Sequence, residues 1–214
     1  GIETILHAHD YEMVAHPGST WLQTEGNPMY ALIELAALLT KPSFILNVTL
    51  NRDKRISAVY AGDMLEAHRA AREFVRRTAL LPVERPFDVV VTGNGGYPLD
   101  LNLYQAVKGM SAAARVVRPG GAIVMAAECW DGLPGHGRYA ELICSAESPR
   151  ALLDSICAYP EPVHDQWQAQ VQAQLQLHAD IYVHSTCLSE EQIRPAMLLP
   201  SSDVAETVAR LVAE

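Results

Sequence analysis

The sequence is short of positive charge: 16 Lys and Arg stand against 25 Asp and Glu, giving a formal net charge of −9, and no basic run offsets it locally. That excludes an electrostatic footprint for nucleic acid and favours a small polar substrate. Long apolar runs are missing as well. Those present, such as residues 30–39 and 120–127, are too short to span a bilayer, and no charged-then-apolar leader opens the chain. A cytoplasmic protein without membrane contact is expected. Cysteine is scarce: Cys129, Cys144, Cys157 and Cys187 include no Cys-x-x-Cys pair. This removes zinc-ribbon and thioredoxin chemistry and leaves buried free thiols as the expected state. No Gly-Lys-Ser/Thr occurs, so a Walker phosphate loop is excluded too.

What is present suits a globular fold: 49% hydrophobic and 19% charged residues over 214 positions, enough for one large domain or two small ones. The chain opens on Gly1 without a methionine, and Gly-Ile-Glu-Thr-Ile reads as a helix already under way, so a fragment of a longer protein is expected. His7, His9 and His16 lie close to this start. In a helix His7 and His9 face different ways, so at most one of them serves a given ligand. Pro28 starts an amphipathic helix, residues 44–50 and 56–60 form a hairpin, and Gly62-Asp63 caps a helix over 64–78.

Two prolines in Leu81-Pro-Val-Glu-Arg-Pro86 mark a domain boundary. Beyond it, strands over 87–92, 122–127 and 181–184 alternate with helices over 99–116, 138–144, 148–158 and 161–178. The expected fold class is α/β, with a mainly parallel sheet flanked by helices and right-handed crossovers, preceded by a partial α/β segment. In such a sheet residues 93–100, 128–136 and 184–188 converge at the strand carboxyl ends, where ligands bind. A last helix within 201–214 is expected to pack back on the first block.

Chemistry concentrates in residues 93–108, Gly-Asn-Gly-Gly-Tyr-Pro-Leu-Asp-Leu-Asn-Leu-Tyr-Gln-Ala-Val-Lys. A glycine-rich turn leading into a helix that Pro98 starts would present free N–H groups to an anion. Gly95 and Gly96 are therefore candidate cofactor contacts. A dinucleotide fingerprint would need a third glycine where Pro98 stands, and Glu128 lies well beyond the acid it expects. Further along, Tyr104, Gln105 and Lys108 offer a phenol, an amide and an ammonium, with Gln105 and Lys108 on one helix face. That trio suits a carboxylate. Trp167 could wall such a pocket or simply fill a core. On the residues alone, a nicotinamide dehydrogenase domain and a non-catalytic module binding small anions both stay open.

The run Asn-Gly-Gly-Tyr-Pro-Leu-Asp with Leu-Tyr-Gln-Ala-Val-Lys-Gly-Met, from Asn94 to Met110, resembles the C-terminal domain of the nickel-dependent lactate racemase family. So do Phe44-Ile-Leu-Asn-Val-Thr-Leu-Asn-Arg-Asp-Lys54, Val59-Tyr-Ala-Gly-Asp63 with Ala67-His68, Cys129-Trp-Asp-Gly132 and His164-Asp-Gln-Trp167, in the family's order. The resemblance implies an isomerase that racemises or epimerises a 2-hydroxy acid. Its cofactor would be a nickel pincer nucleotide that takes a hydride reversibly from Cα, through a keto acid, with two histidines managing the hydroxyl proton. By position, His9 resembles the nickel-ligating histidine. Gln105 and Lys108 match catalytic residues, Tyr104, Gln105, Lys108 and Trp167 match substrate contacts, and Lys108 also matches a cofactor contact. The family's tethering lysine, acid/base histidines, substrate arginine and phosphate site lie upstream of the segment resembling residues 1–10. Residues 1–84 are then the end of a cofactor-binding domain, 85–200 the C-terminal domain and 201–214 a helix returning to the first part. Alone, these residues are expected to be inactive and without the cofactor.

Overall fold

The computed structural model describes residues 2–213, which form two compact units: residues 16–84, and residues 2–15 together with 85–213. Two short helices, α1 (Ile2–Ala8) and α2 (Tyr11–Ala15), open the chain and join the second unit. The backbone oxygen of Tyr11 accepts from Gln170 Nε2 at 2.8 Å, and the His9 ring lies against Trp167. Residues 2–15 therefore group with the second unit, whereas the division at residue 84 placed them with 16–84.

The unit His16–Glu84 holds α3 (Pro28–Leu39), β1 (Ile45–Leu50), β2 (Ile56–Gly62) and α4 (Met64–Ala79). Asn27 caps α3 by accepting Tyr30 N at 3.1 Å, and Asp63 caps α4 by accepting Leu65 N and Glu66 N at 3.0 and 3.1 Å. These are the polar caps that leave a helix's first amides satisfied. β1 and β2 pair antiparallel through a turn that Asn51 closes by accepting from Asp53 N and Arg55 N. α4 packs on both strands through its buried Ala67 and Ala71. Helix α3 buries no residue although it is apolar on nearly every side, and Leu35, Leu39, Leu46, Leu50 and Ile56 are all exposed.

In the second unit the order is β3 (Phe87–Thr92), α5 (Leu103–Ala113), β4 (Val117–Ala126), α6 (Tyr139–Ser145), α7 (Pro149–Cys157), α8 (Gln166–His178), β5 (Asp180–His184), α9 (Glu190–Ile193), β6 (Leu199–Pro200) and α10 (Val204–Ala213). Every neighbouring strand pair is parallel and the sheet order is β3-β4-β5-β6. The α/β class expected from the alternation is what the chain adopts. The order never reverses, so the sheet lacks the switch point at which a dinucleotide fold opens its crevice. β4 is buried on both faces over Ala122–Met125, which is why it reads as an unbroken apolar run. Its Ile123 and Met125 meet Leu103, Val107 and Met110 of α5 and Ile181 and Val183 of β5 in the main core.

Three boundaries differ from expectation for local reasons. α5 starts at Leu103, not 99, because Asn102 caps it and accepts Gln105 N at 3.2 Å. β4 begins at Val117, since Arg118–Gly121 is carried as an irregular start of the strand, with a register shift against β3. α8 waits until Gln166 because Asp165 is left-handed, φ 67°. Helix α10 lies in this unit, on β3 and β4, with Asp203 accepting Glu206 N at 2.8 Å and Thr207 bonded to Ser201. Three of the four cysteines, Cys144, Cys157 and Cys187, are exposed, and only Cys129 is buried as expected. No helix among the described residues is long and apolar enough to cross a membrane.

Alternate residues of α8 carry glutamine, and four of these glutamines are buried. Each spends its side chain on a neighbour. Gln166 Oε1 accepts Val163 N, Gln168 Nε2 donates to Tyr104 O, Gln170 Nε2 to Tyr11 O and Gln172 Nε2 to Ala196 O, at 2.7 to 2.9 Å. Buried amides are tolerable only when bonded in this way.

Helix α5 approaches the loop after β3 closely, since a Cβ on Gly109 would lie 2.5 Å from the Gly93 carbonyl oxygen. Backbone cannot give way as a flexible side chain can. Gly109→Ala is expected to cost about 1–3 kcal/mol through overpacking, read as a lower urea midpoint; an unchanged midpoint would show that α5 stands off from that loop.

Candidate functional site

Three loops meet at the carboxyl edge of the sheet, as a parallel arrangement requires. Asp100, buried, takes Glu128 N on its Oδ2 at 3.2 Å, and its backbone oxygen takes Cys129 N at 3.0 Å. Asp131 N bonds Leu101 O at 2.9 Å, and Asn102 Nδ2 bonds Asp131 Oδ2 at 3.2 Å. From the third loop, Ser185 Oγ donates to Glu128 O at 2.6 Å and accepts Cys187 N and Leu188 N, both at 3.1 Å.

The glycine turn is built differently from an anion-binding helix entrance. Gly95 and Gly96 have φ of 85° and 74°, and Gly96 O accepts Leu99 N at 2.7 Å and Asp100 N at 3.2 Å. A separate turn therefore stands between the glycines and α5. Asn94 holds it to the helix, donating to Leu99 O and, at 3.0 Å, to Gln105 O. Within the first turn of α5, Leu103 N is taken by Gly132 O and Gln105 N by Asn102. The expected seat for an anion on that helix end is filled by the chain's own acceptors, and Pro98 does not start the helix. Around Gly96 the space is open, with no atom within 4 Å of where a Cβ would stand.

α5 then presents its polar residues one turn later. Lys108 Nζ donates to Gln105 Oε1 at 2.7 Å. That contact leaves both Gln105 amide hydrogens and the remaining ammonium hydrogens to give, all on one exposed face. Such a cluster of charged and neutral donors suits a carboxylate. Tyr104 turns the other way, its ring edge-on to Tyr139 at 5.4 Å and its hydroxyl oxygen accepting Trp167 Nε1–H at 3.0 Å. Burial pushes the Tyr104 phenol above the ordinary tyrosine range; the Trp167 hydrogen bond opposes this and the nearby Asp165 carboxylate adds to it.

Trp167 sits between two imidazoles, with ring centroids 5.2 Å from His9 and 5.9 Å from His164. The two histidines that open the chain separate as helix geometry demands. His7 is exposed near Glu161, while His9 turns to the tryptophan. His9 Nδ1 is bonded to Ile5 O at 2.9 Å, which orients the ring and leaves Nε2 for a ligand, the arrangement usual for metal-binding histidines. Among the described residues no group of three His, Cys, Asp or Glu could hold a metal. His9 thus offers one ring nitrogen to a ligand and by itself does not make a metal site. His164 beside Trp167, and Asp165 with His136 near it, were not singled out as site residues from the sequence. The His164-Asp-Gln-Trp167 motif contained two of them, but nothing in it marks the carboxylate as buried.

Residues 83–213 match the family model described as the lactate racemase C-terminal domain. The chain is 32% identical over 209 residues to the lactate racemase of Thermoanaerobacterium thermosaccharolyticum, covering 97% of this chain and 49% of that protein. It is 35% identical over 193 residues to the lactate racemase of Lactiplantibacillus plantarum, covering 89% and 45%. A solved structure of the T. thermosaccharolyticum lactate racemase apoprotein superposes with a TM-score of 0.92 at 31% identity, over 100% of this chain and 51% of the other. The chain spans about half the length of the curated relatives it matches.

At the loop junction Cys129 is buried, and burial pushes its thiol up to about 12, the Asp100 carboxylate and Cys187 adding to it. A thiol that high carries almost no thiolate at pH 8 and does not act as a nucleophile. Alkylation of the folded chain at pH 8 is expected to label Cys144, Cys157 and Cys187 and spare Cys129, with mass spectrometry as the readout; prompt labelling of Cys129 would show that the junction opens.

Proposed function

The chain belongs to the lactate racemase family, and we propose that it supplies the carboxylate-binding and wall-forming part of an isomerase that racemises or epimerises a 2-hydroxy acid. The observation that carries this reading is the Lys108–Gln105 pair, bonded at 2.7 Å on the exposed face of α5. The ammonium and the amide hydrogens hold the carboxylate of the acid, fixing which way its Cα faces. Trp167 closes one side and excludes water there. Tyr104, whose hydroxyl is engaged by the indole, contributes by holding that wall. His9 would give its free ring nitrogen to nickel, and the open space at Gly96 would leave room for part of the nucleotide. When bound, a nickel pincer nucleotide supplies the acceptor for a hydride from Cα.

The remaining half of the relatives' length would bring the acid/base histidines and the cofactor lysine. It would also cover the apolar residues that α3, β1 and β2 leave exposed in residues 16–84. A two-stranded hairpin and an uncovered apolar helix are marginal by themselves.

Two measurements test this. Given synthesised cofactor and lactate, the 214 residues alone are expected to show no turnover; measurable racemisation would overturn the division of labour. In a chimera whose first half comes from the T. thermosaccharolyticum lactate racemase, lactate racemisation is expected. There Lys108→Ala should lower kcat/KM roughly ten- to 150-fold, the loss of a charged hydrogen bond of about 1.5 to 3 kcal/mol. Unchanged kinetics would reduce Lys108 to a surface residue.

A further inference from the structure

In residues 16–84 the strands β1 and β2 form a sheet of two, so each keeps one edge without a neighbouring strand. In an antiparallel pair alternate residues turn their N–H and C=O toward the partner, and the others turn them outward. Among the described residues, Ile45–Leu50 make no backbone hydrogen bond outside the hairpin. Beside β1 lies a cavity of about 1150 Å³, and Asn47, Val48 and Thr49 line it in succession. Their side chains alternate between the two faces of the sheet, so the wall they form is the edge of the strand. The loop from Trp21 to Glu25 and the turns of α4 that carry Arg72 and Arg76 complete the lining, and β2 contributes nothing to it.

This space lacks an acceptor and an apolar cover. Arg72 Nε is buried with no hydrogen-bond partner among the described residues, while its guanidinium lies 4.9 Å from the centroid of the Tyr30 ring. Leu46, Val48 and Leu50 lie on one face of the hairpin, opposite Ala61, Val59 and Ile56, and all six are exposed. α4 packs on the other face, where the rings of Tyr60 and Phe74 are 6.1 Å apart. A small anion would satisfy Arg72 and leave the strand edge and the apolar face in water. An extended segment of chain answers all three needs, because an open edge is a template for a further strand.

We propose that β1 takes a third strand along this edge, from the half of the protein that lactate racemases carry beyond the part matched here. The chain covers 49% and 45% of its two relatives, so about as much sequence again is there to supply it. A strand matched to β1 is about six residues and 20 Å long. Its carbonyls pair with the outward amides of β1 and give Arg72 an acceptor, and the chain that follows it covers Leu46, Val48 and Leu50. A second copy fits less well, since edge-to-edge pairing would set Arg72 and Arg76 against their own equivalents. The inference rests on the reading of this chain as part of a longer racemase. Strand addition is read from backbone protection and racemisation from turnover, so either fails while the other stands.

The test is residue-resolved amide hydrogen exchange on the chimera with the first half of the T. thermosaccharolyticum lactate racemase, with neither substrate nor cofactor added. The outward amides of Ile45–Leu50 are expected to exchange about a hundredfold or more slower there than in the 214 residues alone. Fast outward amides in β1 of the folded chimera would overturn the proposal, as would protection gained by β2 in place of β1. Protection of β1 in the 214 residues alone, together with a dimer by light scattering, would assign the edge to a second copy and overturn it too. Co-expression of the two halves as separate chains serves where the fusion does not fold, and halves that associate in neither form count against the proposal.

Discussion

The carboxyl edge of the sheet depends on one buried side chain, Asp100. Its carboxylate takes the amide of Glu128 and its carbonyl takes the amide of Cys129. The loop after β3 is thereby tied to the loop after β4, which Ser185 in turn ties to the loop after β5. Two residues on, Asn102 caps α5 while reaching Asp131. The start of α5 is thus set by the same knot that gathers the loops, and its middle is set by Gly109 against Gly93. Lys108 is exposed, yet the backbone that carries it is constrained on both sides. A long flexible side chain on a fixed base can adjust to a ligand without the helix moving.

Helix α8 shows a second constraint, since buried glutamines do what apolar residues usually do. A Leu at 168, 170 or 172 would fill space, but it would release acceptors on Tyr104, Tyr11 and Ala196. Those acceptors sit on α5, α2 and the turn before β6, so each amide fixes the position of one neighbouring element. Directional bonds of this kind hold a register that apolar contact alone leaves loose. The Tyr139–Gln172 bond extends the same arrangement to α6.

Much of this was legible in the sequence where short-range rules dominate. The strands β3, β4 and β5 stand out as apolar runs flanked by turn residues, and their alternation with helices implies the parallel sheet and the meeting of its loops. Pro98 misled because proline commonly opens helices. The competing signal, Asn102 three residues before Gln105, was the one that prevailed. The cysteines misled because burial of a thiol is decided by tertiary packing, which four isolated positions do not encode. Least legible was the neighbourhood of Trp167. His9, Tyr104 and the His164–Asp165 pair lie on three separate stretches, and no periodicity links residue 9 to residue 167. Family resemblance named His9, Tyr104 and Trp167, but an aspartate next to a motif tryptophan carries no mark of being buried.

The chain's candidate chemical groups sit in one unit, and each is held by hydrogen bonds of the chain itself. Lys108 donates to Gln105, the indole donates to Tyr104, and the His9 ring is bonded to Ile5 O. Such preorganisation matters for a symmetric reaction. In the proposed racemase two mirror-image acids would have to be treated alike, so the helix that carries the carboxylate-binding residues would have to stay in place while the bond at Cα is broken and remade on either face. Groups held by helix-borne hydrogen bonds meet that demand, because the reorganisation they would otherwise undergo at each turnover has been met during folding. In that proposal, proton and hydride movement fall to other groups, and the part proposed to hold the acid need not loosen.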